Sequence, residues 1–136
     1  MRIDRPVPMR TRAAIVAACC LAAALAGCGG RNYQPPPPAD ATVARSALEA
    51  ALSAWRSQAR PESLQQATPS ITFVDPDCQS GQRLLDFQLQ PGEQPLGSSI
   101  YWPVQLRLVP ANGREQRLDV TYIVSTNPLI HISRQD

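Results

Sequence analysis

The sequence predicts an α+β domain, with an N-terminal helix packed across a curved antiparallel meander sheet. Three observations predict it. Apolar residues recur at helical spacing between residues 43 and 55. After Pro69 the apolar period changes to two and keeps that value almost to the C-terminus. The alternating segments are separated by short turns rich in Pro, Gly and Asn, so their apolar rows share one face, and the helix must cover it. That gives two layers.

The helix comes first. Asp40 or Thr42 can cap its opening turn. Val43, Ala47, Leu48, Ala51, Leu52 and Trp55 form one apolar stripe, and Arg45, Ser46, Glu49, Ser53 and Arg56 occupy the other side. Arg45 and Glu49 make an i,i+4 pair in the weaker orientation. Pro61 ends this helix, because the residue before a proline is pushed toward extended backbone. Pro61-Glu62-Ser63-Leu64 then opens a short second helix with proline at its first position, and Thr68-Pro69 breaks it.

The strands follow. Ile71 to Val74 is short and largely β-branched, and Asp75-Pro76-Asp77 is a turn. Arg83 to Gln90 alternates, with Leu85, Phe87 and Leu89 on one face. Pro91 to Gly97 is a loop. The strongest strand places Ile100, Trp102, Val104, Leu106 and Leu108 on one face and Ser99, Tyr101, Pro103, Gln105 and Arg107 on the other. Its partner carries Leu118, Val120, Tyr122 and Val124. Asn127-Pro128 interrupts, and Leu129 to Ile132 is a last short strand.

The register of the central hairpin follows from parity. Both apolar rows are even-numbered, and a one-residue slip would turn one of them to solvent. A two-residue Asn112-Gly113 loop is therefore excluded. A three-residue loop, Ala111-Asn112-Gly113, keeps parity and puts Gly where a type I turn with a G1 bulge wants a left-handed residue. The inward pairs become Leu106–Leu118, Val104–Val120, Trp102–Tyr122 and Ile100–Val124. Arg107 then faces Arg117, a like-charge pair that Asp119 or Glu115 must offset. Pro103 lacks an N–H, so its side of the strand is an edge or a bulge. Trp55 is expected against the row from Trp102 to Leu106. This helix-on-sheet order is similar to the cystatin-like and NTF2-like rolls, a likeness of fold that carries no function.

Ahead of the helix lies a segment of another kind. Met1 to Arg12 holds four Arg and one Asp, Ala13 to Ala26 is a 14-residue apolar run, and Leu25-Ala26-Gly27-Cys28 closes it. Charge, apolar core and small residues in that order make a secretory signal. The run is shorter than the roughly 20 residues of a membrane-spanning helix. Leu25-Ala26-Gly27-Cys28 resembles the lipobox of bacterial lipoproteins. The resemblance implies cleavage between Gly27 and Cys28, a diacylglycerol on the Cys28 sulfur and an added fatty acyl chain such as palmitate. Two or more chains anchor a protein stably, so the membrane becomes a partner through Cys28. Gly29, where Asp would favour inner-membrane retention, turns the expectation toward the outer membrane. The chain then divides into a signal peptide at 1–27, a lipidated cysteine with a Gly- and Pro-rich tether at 28–41, and a domain at 42–136. Four prolines at 35–38 make the tether a semi-rigid spacer.

A second resemblance is local. Ala47-Leu48 with Trp55, then Pro61-Glu62-Ser63-Leu64, then Val74-Asp75-Pro76-Asp77 with Gly81 and Leu84-Leu85-Asp86-Phe87, is similar to small exported proteins of planctomycete-type bacteria. No activity is attached to that group, so the resemblance implies no catalytic residue.

Composition narrows the chemistry. The net charge is +2, but the leader supplies +3 of it, so the part after Gly27 stands at −1. A nucleic-acid-binding domain would need a basic footprint that is missing here. All 13 basic residues are Arg, a uniformity that fits GC-rich codon usage better than selection at one site. Cys19 and Cys20 leave with the leader and Cys28 is acylated, so Cys78 is the only thiol left, which excludes an internal disulfide, and it reads as a small buried hydrophobe. Asp75, Asp77, Gln79 and Asp86 echo the spacing of a calcium loop, yet Ser80 and Asp86 stand where Gly and Glu are wanted. His131 is the only histidine, too few for a zinc site and without a nucleophile motif beside it. Trp55, Tyr101, Trp102 and Tyr122 either line a ligand cavity or form the core, and in so small a domain the core has first claim. The expectation is a noncatalytic envelope module, without cofactor or metal, that binds an envelope protein or serves structurally. The alternative is a small-ligand binder or enzyme using a cavity between helix and sheet.

Overall fold

A computed structural model describes Gly30 and residues 32–136. Gly27, Cys28 and the leader lie outside these residues. Residues 32–40 carry no regular secondary structure, and all of them but Ala39 are exposed, the four prolines included. The domain is the unit Pro36–Asp136.

Helix α1 spans Ala41–Arg56. Asp40 is its cap: its carboxylate accepts from Thr42 N at 2.9 Å and Val43 N at 3.1 Å. The backbone N–H of Asp40 donates to Thr126 Oγ1, which ties the helix start to the far end of the sheet. The buried stripe is Ala44, Ala47, Leu48, Ala51, Leu52 and Trp55. Val43, expected in that stripe, is 38% exposed, and Ala44 takes its place. Small Ala residues let the helix approach the sheet closely.

The helix stops at Arg56, well before Pro61. Gln58 adopts a left-handed φ of 61°. Its N–H donates to Trp55 O, and Ala59 N donates to Ala54 O. This is a Schellman cap with glutamine in the position that usually holds glycine. Helix α2 spans Pro61–Gln65 with Pro61 at its first position, as expected.

The sheet has the strand order β1-β6-β5-β4-β2, with β3 pairing β4. The strands are β1 Ile71–Val74, β2 Arg83–Leu89, β3 Gln94–Leu96, β4 Ser99–Val109, β5 Gln116–Ser125 and β6 Ile130–Gln135. Strands β4, β5 and β6 form the expected antiparallel meander. Strand β1 does not: it lies parallel to β6, Ile71 beside Ile130. The sheet is therefore mixed, which corrects the all-antiparallel expectation. A parallel neighbour needs a long connection, and here strands β2 to β5 intervene between β1 and β6.

The central hairpin has the register that parity requires. Leu106 pairs with Leu118, Val104 with Val120, Trp102 with Tyr122 and Ile100 with Val124. Burial alternates along the whole of β4. The turn differs from expectation. Gly113 N donates to Pro110 O, and Gly113 does not take the left-handed φ of a G1 bulge. Glycine suits the space there, because a Cβ would stand 3.0 Å from Pro110 Cγ and crowd the ring.

Three further differences have local causes. Between Leu84 and Asp86 the β2–β4 register shifts by a bulge, which turns Leu84 rather than Leu85 into the core. The segment after Asp75 is a short helix, α3 (Pro76–Gln79), rather than a simple turn. The Pro91–Gly97 loop contains β3, an edge strand that tolerates Pro95. Pro103 sits where β2 ends and β3 begins along β4. Its carbonyl accepts from Gln90 N there, and its missing N–H faces the same gap between ladders.

Candidate functional site

The most densely connected polar group of the domain lies where β1 runs into α3. Asp75 is fully buried, the only buried charged residue among those described. Its sequence position explains half of this. An Asp before a Pro at the first helical position is a natural N-cap, and Asp75 Oδ1 accepts from Asp77 N at 2.8 Å and Cys78 N at 3.1 Å. Tertiary structure explains the rest. Tyr122, from the apolar row of β5, donates its phenol to Asp75 Oδ2 at 2.6 Å.

Arg134 on β6 closes the cluster. Its Nη1 lies 3.6 Å from Asp75 Oδ1 and hydrogen-bonds Asp77 Oδ2, and its Nε donates to Asp136. Gln82 Nε2 donates to Asp77 Oδ1 at 2.8 Å. The Arg134 side chain is only 11% exposed. Burial alone would weaken its charge, but the Asp77 hydrogen bond, the Asp75 charge and Asp136 together hold the guanidinium more firmly protonated than usual. Tyr122 is pushed well above the ordinary phenol value, first by burial and then by the Asp75 charge and hydrogen bond.

This arrangement fastens β1, α3, β5 and β6 together. Both Asp75 oxygens are occupied by donors, and the carboxylate has no face open to solvent. A buried charge that is paired and hydrogen-bonded in this way is an internal clasp, not a group poised to act on a substrate.

The other residues singled out in the sequence are dispersed. Gly27 and Cys28 lie outside the described residues. Cys78 is half-buried against the core, and burial followed by the nearby Asp75 charge pushes its thiol up to about 11. His131 is exposed on β6, opposite Ser125 on β5 and Thr72 on β1. Asp86 pairs with Arg56 at 3.6 Å on the β2 side, whereas Asp75 and Asp77 are bound into the clasp. Among the described residues no group of three or more His, Cys, Asp or Glu could hold a metal ion.

Trp102 and Tyr122 fill the space between helix and sheet. Trp55, expected against the Trp102–Leu106 row, stands beside Phe73, with ring centroids 6.3 Å apart, and Phe73 stands 5.9 Å from Tyr122. The Trp55 indole donates to Gln82 O at 2.9 Å. Tyr101 is half-buried on the opposite face of the sheet. Grooves occur at the surface, including an apolar one of about 460 Å³ between α1 and β1, lined by Val43, Ala47, Ala50, Pro69 and Ile71. No helix of the described residues is long and apolar enough to cross a membrane.

The clasp was only partly legible. Asp75-Pro76 signals a helix cap, but Tyr122 reads as one more apolar residue of its strand, and nothing near Arg134 in sequence points to Asp75. No family model matches the chain, and neither a curated protein nor a solved structure matches it.

Proposed function

We propose that this chain is a cell-envelope lipoprotein, held to a membrane by fatty chains on Cys28, whose domain is a noncatalytic binding or structural module. The observation that carries the proposal is Leu25-Ala26-Gly27-Cys28 at the end of a 14-residue apolar run and ahead of a Pro-rich stretch. The exposed prolines before α1 suit a spacer between lipid and domain. Gly29 after the cysteine turns the proposal toward the outer membrane. The domain is a roll of the cystatin-like or NTF2-like kind, supported by the leading helix across a curled sheet.

The noncatalytic reading draws support from the state of the polar groups. The buried Asp75 carboxylate is saturated by donors, the Cys78 thiol is pushed up to about 11, and aromatic rings occupy the space that a ligand cavity would need. An envelope protein partner suits such a module.

The test is Cys28→Ser in the full chain, expressed with labelled palmitate and followed by fractionation. The parent protein incorporates label and sediments with membranes. The variant loses both. A variant that stays membrane-bound to the same degree, or a parent that takes up no label, overturns the proposal.

A further inference from the structure

The outer face of the sheet, away from α1, carries a feature that the fold does not need. Arg107 on β4 and Arg117 on β5 are direct cross-strand partners. Cβ atoms of such partners stand about 4.5–5.5 Å apart, and like charges so placed are destabilising. Nearby acids relieve this incompletely. Glu115 lies 2.7 Å from Arg107 Nε, and Asp86 is turned to Arg56. Asp119 accepts weakly from Gln105, at 3.4 Å. Among the described residues Arg117 has no acidic partner within 4.0 Å.

Both arginines line one groove of about 260 Å³, together with Asp86, Gln88 and Gln105. Cross-strand pairing aligns these residues in two rows, Asp86–Arg107–Arg117 and Gln88–Gln105–Asp119. One row offers two guanidinium groups, whose planar forks match the oxygens of a phosphate. The other offers amide donors and acceptors and a carboxylate, which match hydroxyl groups. The arginine usage of the chain as a whole carries no weight here. The placement does: two cations side by side in a groove, next to the amides of Gln88 and Gln105.

We propose that this groove binds a phosphorylated sugar, with the phosphate between Arg107 and Arg117 and sugar hydroxyls on Gln88 and Gln105. The proposal names a ligand class for the binding module described above and rests on that reading. The anchor is tested by fractionation and the ligand by titration, so either can fail alone. A sugar phosphate reaches such a site free in solution or as the head group of a glycolipid.

The test is an NMR titration of the full chain in neutral detergent, following the guanidinium Nε–Hε signals. The probes are glucose 1-phosphate, glucose, inorganic phosphate and a monophosphorylated disaccharide lipid added to the micelles. The Arg107 and Arg117 signals move with glucose 1-phosphate at lower concentration than with phosphate alone, and glucose leaves them still. Loss of one charged hydrogen-bonding partner weakens binding about tenfold, so Arg117→Gln is expected to shift the midpoint by that factor. Arg60→Gln, outside the groove, leaves it unchanged. A midpoint lower for the lipid than for glucose 1-phosphate identifies a membrane source, and the reverse order a soluble one. Absence of movement at Arg107 and Arg117 with both sugar phosphates, or an unchanged midpoint in Arg117→Gln, overturns the proposal.

Discussion

Tyr122 stands in the row Leu118, Val120, Tyr122, Val124, and its ring behaves as that row demands, fully buried against Phe73. Its hydroxyl cannot be buried without a partner, and Asp75 supplies one at 2.6 Å. The period-two pattern makes the ring legible and leaves the oxygen silent, because alternation records which face a side chain takes and not what its tip meets. Tyr122→Phe removes one donor from a buried carboxylate and is expected to destabilise the domain by about 1–3 kcal/mol. Asp75→Ala is expected to cost about 3–5 kcal/mol, since it strips the α3 cap and leaves Arg134 and the phenol short of an acceptor. Urea denaturation of both variants measures the two losses, and equal losses would show that Asp75 acts through Tyr122 alone. The same pair sets an alkaline limit. Below about pH 10 the phenol is neutral in folded and unfolded chains alike. Above it the unfolded chain releases the proton while the folded one retains it, so stability falls as pH rises. Tyr122→Phe flattens that part of the profile. Cys78 has a related consequence at lower pH. With its thiol pushed up to about 11 from an ordinary 9.0, the thiolate fraction at pH 8 drops about a hundredfold, and higher intrinsic nucleophilicity returns about tenfold of this. Labelling of Cys78 by a thiol reagent is therefore expected about tenfold slower than that of an unfolded control. Equal rates would mean the thiol is open to solvent.

Between neighbouring elements, legibility tracked how far a signal travels along the chain. The hairpin register was readable because β4 and β5 are adjacent and both present even-numbered apolar rows. The Leu84 bulge was not. Leu84 and Leu85 are identical residues, so no hydropathy pattern says which one turns inward, and the shift comes from pairing with β4. The helix stripe was readable to within one residue, Ala44 for Val43, because the first turn is placed by the Asp40 cap. The end of α1 is not legible in the sequence because its stop signal is a backbone conformation at Gln58, a residue type that gives no hint of one. Left-handed backbone is costly for any residue with a Cβ, whereas glycine adopts it freely. Gln58→Gly is accordingly expected to raise stability by about 0.5–1 kcal/mol with no change of fold. Thermal unfolding at fixed pH checks it, and a loss of stability would mean that the Gln58 side chain makes a compensating contact.

Across the whole domain the organising strand is β6, the last segment of the chain. It lies between β1 and β5 and, among the described residues, is the only strand that β1 pairs with. It brings Ile130 and Ile132 to the core and Arg134 to the Asp75–Asp77 clasp. The parallel β1–β6 pair was illegible because two short β-branched strands far apart in sequence carry no code for each other. Their union depends on everything between them being in place. Such distant pairing also means that loop-closure entropy must be met before the contact forms, so β1 and β6 are expected to join late and to hold the fold once joined. Ending the chain at Pro128 tests this. The truncated protein loses two core isoleucines, leaves β1 as a strand without a ladder and leaves Asp75 without its cation. Removing a single large core side chain costs about 2–5 kcal/mol, and a domain of this size has about 5–15 kcal/mol in all. The truncated chain is therefore expected to show no cooperative unfolding transition by circular dichroism. A sharp transition near that of the full chain would mean that α1 and the β2–β5 strands form a self-sufficient fold, and that the β1–β6 pair and its clasp are peripheral to it.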